Sequence, residues 1–247
     1  VSIDRDVMKL NGRPIKLRGV NHHDLVPETG RTMSREQIFK DLMLMKQANI
    51  NFIRTSHYPP DHRLLDLCDS LGFYVDCEVP FNYGRDFLRD SSYQDNLLVR
   101  AKETLYRDKN HPCIIFWSVG NETLPTPITE AAGRYVQQHD RTRPMCFAGL
   151  LLRSEKRPDV RETEFDFVDI SSSHYKSAEW IKENRKTAAK PFVMTEYAHA
   201  LGSSFGNMKD IWAEMFRTSN MAGGAVWMFQ DQGIQRKSKE PVDIHKL

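Results

Sequence analysis

The stretch FWSVGNET, Phe116 to Thr123, is an aromatic and β-branched run that ends by delivering a carboxylate, Glu122. A second apolar run, PFVMTEY, ends the same way on Glu196. Burying two carboxylates without a task is unfavourable, so the pair points to a reaction. Two carboxylates that face one another are what glycoside cleavage needs. One donates a proton to the leaving oxygen, and the other attacks or activates water. A gap of about 5–5.5 Å between them gives retention of configuration, and a wider gap gives inversion. The like charge of its partner is expected to raise the pKa of the acid. The nucleophile has to stay ionised, and Arg54 in INFIRTS is a cation placed to help it. Trp227 offers an apolar face for a sugar ring, while Asn121 and the histidines can bind hydroxyls.

These residues need a scaffold that brings distant strand ends together. Strand-like runs are expected at 14–21, 50–56, 73–79, 113–121, 144–150, 165–173, 191–197 and 223–229. Between them lie helical patterns. At 34–49, Ser34 and Gln37 form a capping box and Ile38, Leu42 and Met45 share one face. The helix at 60–72 closes on Gly72, and the one at 96–110 stops before His111-Pro112. Another starts at Pro127, with Ile128, Ala132, Tyr135 and Val136 inward. A short helix is expected at 177–186, and Met208, Ile211, Trp212, Met215 and Phe216 mark a last one of period 3.6.

Apolar strands alternating with amphipathic helices mean an α/β protein with a covered parallel sheet. Eight strands, most followed by a helix, predict a (β/α)₈ TIM barrel. An open doubly wound sheet fits less well, because no glycine-rich phosphate turn follows the first strand. The polar end, RKSKEPVDIHKL, is a poor eighth helix, so the last helix is expected to be missing. The whole chain, 1–247, reads as a single catalytic barrel cut from a larger multidomain enzyme.

Such barrels carry their chemistry at the C-terminal strand ends. Those ends supply Asn21, His22, His23 and Asp24; Arg54, Ser56, His57 and Tyr58; Glu78; Asn121 and Glu122; Ser173, His174 and Tyr175; Glu196, Tyr197 and His199; and Trp227 and Asp231. Adjacent strand residues point to opposite faces, so His22 and His23 are not expected to share one metal ion.

Composition narrows the partners. The 35 basic and 33 acidic residues nearly balance, and no basic run is interleaved with aromatics, so nucleic acid is not expected. No apolar stretch approaches the roughly 18 residues of a membrane span. VSIDRDVMKL lacks the features of a signal peptide, and the compartment is left open. Cys68, Cys77, Cys113 and Cys146 have no C-x-x-C spacing and are expected to be buried thiols. A monomer is expected.

The motifs LNGRPIKLRGVNHHD, MKQANINFIRTSHYPPD, RDKNHPCIIFWSVGNE, TEYAHALGSSFG and GGAVWMFQDQ, running from Leu10 to Gln232, resemble the catalytic barrel of glycoside hydrolase family 2, and within it the β-galactosidases. The resemblance implies that Glu122 is the general acid/base and Glu196 the nucleophile. It implies that Asn121 holds the substrate 2-hydroxyl, and that Arg54 and Tyr175 hold the nucleophile. It places His23, His57 and His199 around the sugar and Trp227 as its platform. The expected activity is retaining exo-hydrolysis of a terminal β-linked galactose or modified galactose. Glucuronide and mannoside hydrolases of the family share the two glutamates. A truncated, non-catalytic sugar-binding barrel is a further reading.

The sequence also departs from the family. Metal-dependent members carry a glutamate and a histidine after the third strand, where Asn82 and Gly84 stand here, so no cofactor and no magnesium are expected. The run WMFQDQG is unusual, which implies an altered pocket wall. The β-sandwich domains that normally precede the barrel do not occur in this chain.

Overall fold

The computed structural model describes residues 1–83, 86–149, 166–185, 188–200 and 205–238. Gly84, Leu150, Phe165, Lys186, the stretch 201–204 and the polar tail beyond residue 238 lie outside them.

Three short strands open the chain: β1 (Ser2–Asp4), β2 (Val7–Leu10) and β3 (Arg13–Pro14). They pair antiparallel, through turns that place Arg5, Asn11 and Gly12 at positive φ. Sequence periodicity misses this sheet because its strands are too short to alternate. It has a structural task, since Met8 joins Leu17, Phe52, Phe116 and Val193 in one buried cluster.

Eight parallel strands follow: β4 (Leu17–His22), β5 (Phe52–Thr55), β6 (Tyr74–Asn82), β7 (Ile114–Thr123), β8 (Met145–Gly149), β9 (Ser171–His174), β10 (Phe192–Tyr197) and β11 (Met221–Val226). Their order in the sheet is β8-β7-β6-β5-β4-β11-β10-β9. The two ends meet. Cys146 bridges Ile170, and the N–H groups of Asp169 and Ile170 both donate to the Met145 carbonyl, at 2.9 and 3.0 Å. Eight parallel strands thus form a nearly closed TIM barrel.

Helices α1 (Arg35–Gln47), α2 (His62–Leu71), α3 (Gln94–Asp108), α4 (Pro127–His139), α5 (Ala178–Asn184) and α6 (Met208–Arg217) cover it. The Ser34–Gln37 capping box forms on α1, with Ile38, Leu42 and Met45 buried. Gly72 ends α2 at φ 71°, a conformation that a side chain would strain. No helix follows β11 among the described residues, and none of their helices is long and apolar enough to cross a membrane. All four cysteines are free and buried.

Strand boundaries and one helix face differ from expectation. The sixth barrel strand is Ser171–His174 and not 165–173. Phe167 is drawn instead against α4, where its ring lies so close to Gly133 that a Cβ there would stand 2.3 Å away. Phe167 thus serves helix packing, Ile170 joins the inner core, and serines form the strand. The last strand stops at Val226, which leaves Trp227 on the loop beyond it. On α6, Ile211 and Met215 are buried but Phe216 is 61% exposed.

Candidate active site

Arg54 is the hub of the barrel mouth. β5 delivers it fully buried, and its guanidinium forks across the barrel. Nη1 donates to Asn21 Oδ1 at 2.9 Å and to Glu196 Oε1 at 3.0 Å. Nη2 donates to Glu78 Oε2 at 2.5 Å and to Asn121 Oδ1 at 2.8 Å. One side chain therefore ties β4, β6, β7 and β10 together. Burial disfavours its charge, but Glu78 and Glu196 outweigh burial and keep it a cation. Burial likewise opposes ionisation of Glu78, yet Arg54 and His57 hold that carboxyl below its ordinary range. Burial drives Asp76, 3.9 Å from Arg54 Nε, well above the carboxylate range and toward its neutral form.

Glu196 leaves β10 as the centre of a donor set. Arg54 reaches Oε1, and the Tyr175 hydroxyl donates to Oε2 at 2.8 Å. Burial and the Glu196 charge raise the Tyr175 phenol, so it stays a protonated donor. Glu122 stands opposite, near the tip of β7. Its strand turns inward at Gly120, φ 77°, where a Cβ would lie 2.5 Å from the Phe81 carbonyl. Only glycine fits that approach, and the turn aims Glu122 into the mouth. His174, at the end of β9, sits between the two carboxylates, and one oxygen of each glutamate and a ring nitrogen all lie within 4.8 Å of one another.

Glu122 corrects one expectation. Its carboxyl is held below the ordinary glutamate range, not above it. A hydrogen bond from His174 is the main cause and one from Tyr83 adds to it, while burial works the other way. The expectation counted only the like charge of Glu196 and omitted a donor on a third strand.

An aromatic wall closes one side. His57 stacks on Trp227, with ring centroids 5.1 Å apart and planes 9° from parallel. His57 Nδ1 also meets Glu78 Oε1 at 3.1 Å. His23 stands edge-on to Trp227 at 5.3 Å, and burial, assisted by neighbouring cations, pushes its pKa down to about 3. His22 points the other way, to Asp41 on α1 at 3.3 Å, so the two adjacent histidines do serve opposite faces. The His199 ring lies 6.1 Å from that of Tyr175. Asn121 has one amide hydrogen on Asn82 Oδ1 at 3.1 Å and its oxygen on Arg54, leaving one hydrogen and one lone pair.

The structure brings Glu122, Glu196, Arg54, His57, Asn121, Tyr175, His23, His199 and Trp227 to one end of the barrel. Sequence reasoning assigned no role to Asn21, Glu78 or His174. Asn21 and His174 stand at strand ends, where a signal existed, whereas Glu78 lies in the middle of β6, which runs on to Asn82. What was missing was the knowledge that Arg54 and the two glutamates converge, since these residues act on that convergence.

Comparisons with known proteins bear on the family and the fold. The family model "Glycosyl hydrolases family 2, TIM barrel domain" matches residues 1–245. The chain is 34% identical to a beta-galactosidase of Vibrio cholerae, over 97% of this chain and 24% of that protein. It is 33% identical to a beta-galactosidase of Yersinia enterocolitica, over 97% and 23%. The chain thus spans about a quarter of the length of the curated relatives it matches. Among solved structures it is similar to the β-glucuronidase of Ruminococcus gnavus in complex with uronic isofagomine, with a TM-score of 0.79 and 21% identity over 95% of this chain and 47% of that one. It is also similar to a GH2 beta-galacturonidase from Eisenbergiella tayi bound to galacturonate, with a TM-score of 0.74 and 22% identity over 91% and 45%. At these identities the structural likeness is one of fold.

Proposed function

Because the chain belongs to glycosyl hydrolase family 2, as its TIM-barrel domain, we propose that it removes terminal β-linked galactose, or a modified galactose, from a carbohydrate by double displacement. The carrying observation is the carboxylate pair, with oxygens of Glu122 and Glu196 within 4.8 Å. A gap this short supports a nucleophile in direct contact with the sugar over the wider spacing that an inverting site uses to hold water.

In this reading Glu196 attacks the anomeric carbon as a carboxylate, while Glu122 passes a proton to the leaving oxygen. Arg54 and Tyr175 fix both oxygens of Glu196, so the attacking lone pair is oriented before the sugar arrives. Glu122, now ionised, takes a proton from water, which attacks the glycosyl ester and frees Glu196. The free hydrogen and lone pair of Asn121 are available to the 2-hydroxyl, where a bond strengthens as the oxocarbenium ion develops. Trp227, braced by His57 and His23, supplies the apolar platform for the ring.

Galactose is favoured by the 33–34% identity to proteins named beta-galactosidase. The uronidases are similar in fold only. A magnesium ion beside the acid/base is not part of the proposal. The residue standing where metal-dependent relatives carry a carboxylate is Asn82, an amide whose oxygen already accepts from Asn121. A neutral amide in place of a carboxylate leaves that position with one negative charge fewer to hold a divalent cation.

Proton NMR of the first-formed sugar tests the reading. With the full chain exhaustively treated with chelator and given 4-nitrophenyl β-galactoside, β-galactose is expected first, and the α anomer only after mutarotation. Immediate α-galactose would contradict double displacement, and loss of turnover on chelation would contradict the metal-free site.

A further inference from the structure

His174 ends β9 between the two carboxylates. Its Nδ1 lies 3.3 Å from Glu122 Oε1, and its Nε2 lies 3.6 Å from Glu196 Oε1. A carboxylate offers only acceptors, so Nδ1 carries a hydrogen and donates to Glu122. Nε2 is buried and makes no hydrogen bond. The ring is therefore committed to the acid/base, with its other edge turned toward the nucleophile. We propose that His174 is a positioning residue: its Nδ1–H fixes the Glu122 carboxyl facing Glu196 and sets the pH above which the first chemical step fails. The inference rests on the double-displacement reading.

The charged and titratable groups around this contact come from several strands. Glu122 faces His174 from β7, Glu196 from β10 and Glu78 from β6, and Tyr175 follows on the same chain with its ring 6.0 Å away. Glu122 itself meets His174 and Tyr83, with His57 acting at longer range. His174 has the largest effect on it.

The sign follows from the direction of the bond. A donor on the carboxyl favours its ionised form. Glu122 has to be protonated to release the leaving group, so a carboxyl held low loses that proton earlier as pH rises. The alkaline limb of kcat/KM then falls at lower pH than an unassisted carboxylate pair would give. The same bond favours the form that the second step needs, in which Glu122 is a base. His174 thus shifts the balance between the two half-reactions toward deglycosylation.

Two variants of the full chain test this. His174→Met removes the donor, and His174→Gln keeps a neutral N–H. Carboxyl-¹³C NMR of glutamate-labelled protein, with the Glu122 signal assigned through Glu122→Gln, reads the titration without turnover. The Glu122 midpoint is expected to rise by about one pH unit or more in His174→Met and by less in His174→Gln. The alkaline limb of kcat/KM on a galactoside with a poor leaving group is expected to move up with it. An unchanged midpoint in a His174→Met protein that melts like the parent overturns the inference. So does an alkaline limb that stays in place while the midpoint moves. A chain that hydrolyses no β-glycoside, yet whose Glu122 midpoint shifts as stated, contradicts the functional reading and leaves the hydrogen bond established.

Discussion

Glu196→Gln is expected to abolish turnover of every β-galactoside, with a loss on the order of 10⁴-fold or more in kcat. Glutamine matches glutamate in shape, so its oxygen can still accept from Arg54 and the side chain still fills the space beneath Tyr175. What disappears is the charge and the nucleophilic lone pair. No neighbour can replace them. Glu78 is locked to Arg54 at 2.5 Å and to His57 at 3.1 Å, and Asp76 is driven toward its neutral form. The fold is expected to survive, because Arg54 keeps Glu78 as counter-charge in place. Initial rates on 4-nitrophenyl β-galactoside, read beside a thermal melt, check both statements. A folded variant with more than about one-hundredth of the parent rate would remove Glu196 from the role of nucleophile.

Glu122→Gln has the second largest expected effect, and it depends on the substrate. A leaving group that departs as a stable anion needs little help, whereas an alkoxide needs the proton in the transition state. General acid catalysis typically contributes about 10²–10⁴-fold. The variant should therefore lose that factor on methyl or sugar aglycones, and far less in the first step on dinitrophenyl galactoside. With the activated substrate the second step becomes limiting, because its base is also gone, and KM is expected to fall as the glycosyl-enzyme accumulates. Equal slowing of good and poor leaving groups would count against the assignment. The geometry supports it: Glu122 is a partly exposed carboxyl at the rim, turned inward by Gly120, where a leaving group and then water can reach it.

The barrel was legible because its strands read as near-continuous apolar runs and its helices carry clear caps, such as Ser34–Gln37 and Gly72. It became illegible where residues answer to a neighbour distant in sequence. Phe167 reads as strand, but its partner is Gly133 on α4, and the strand itself is built from serines. Met8 reads as part of a polar opening stretch, yet it packs among the residues of the inner core.

The site divides the same way. Glu122 and Glu196 stand out as carboxylates ending apolar runs, and Arg54 as a cation inside one. The roles of Asn21 and Glu78 exist only through Arg54, whose fork spans four strands. His174 follows three serines and carries no pattern of its own, although it overturns the expected direction for Glu122. Pairwise charge reasoning found the two carboxylates, but it could not find the donor that a third strand places between them.

The most direct test of double displacement is intact mass after incubation with 2-fluoro-β-galactosyl fluoride, followed by peptide mapping. The fluorine at C2 slows both steps, and the activated leaving group still allows the first, so a glycosyl ester should accumulate. One 2-fluorogalactosyl unit per chain, mapped to Glu196, is the expected result. An adduct on any other residue, or no adduct on a chain that turns over aryl β-galactosides, would contradict the account.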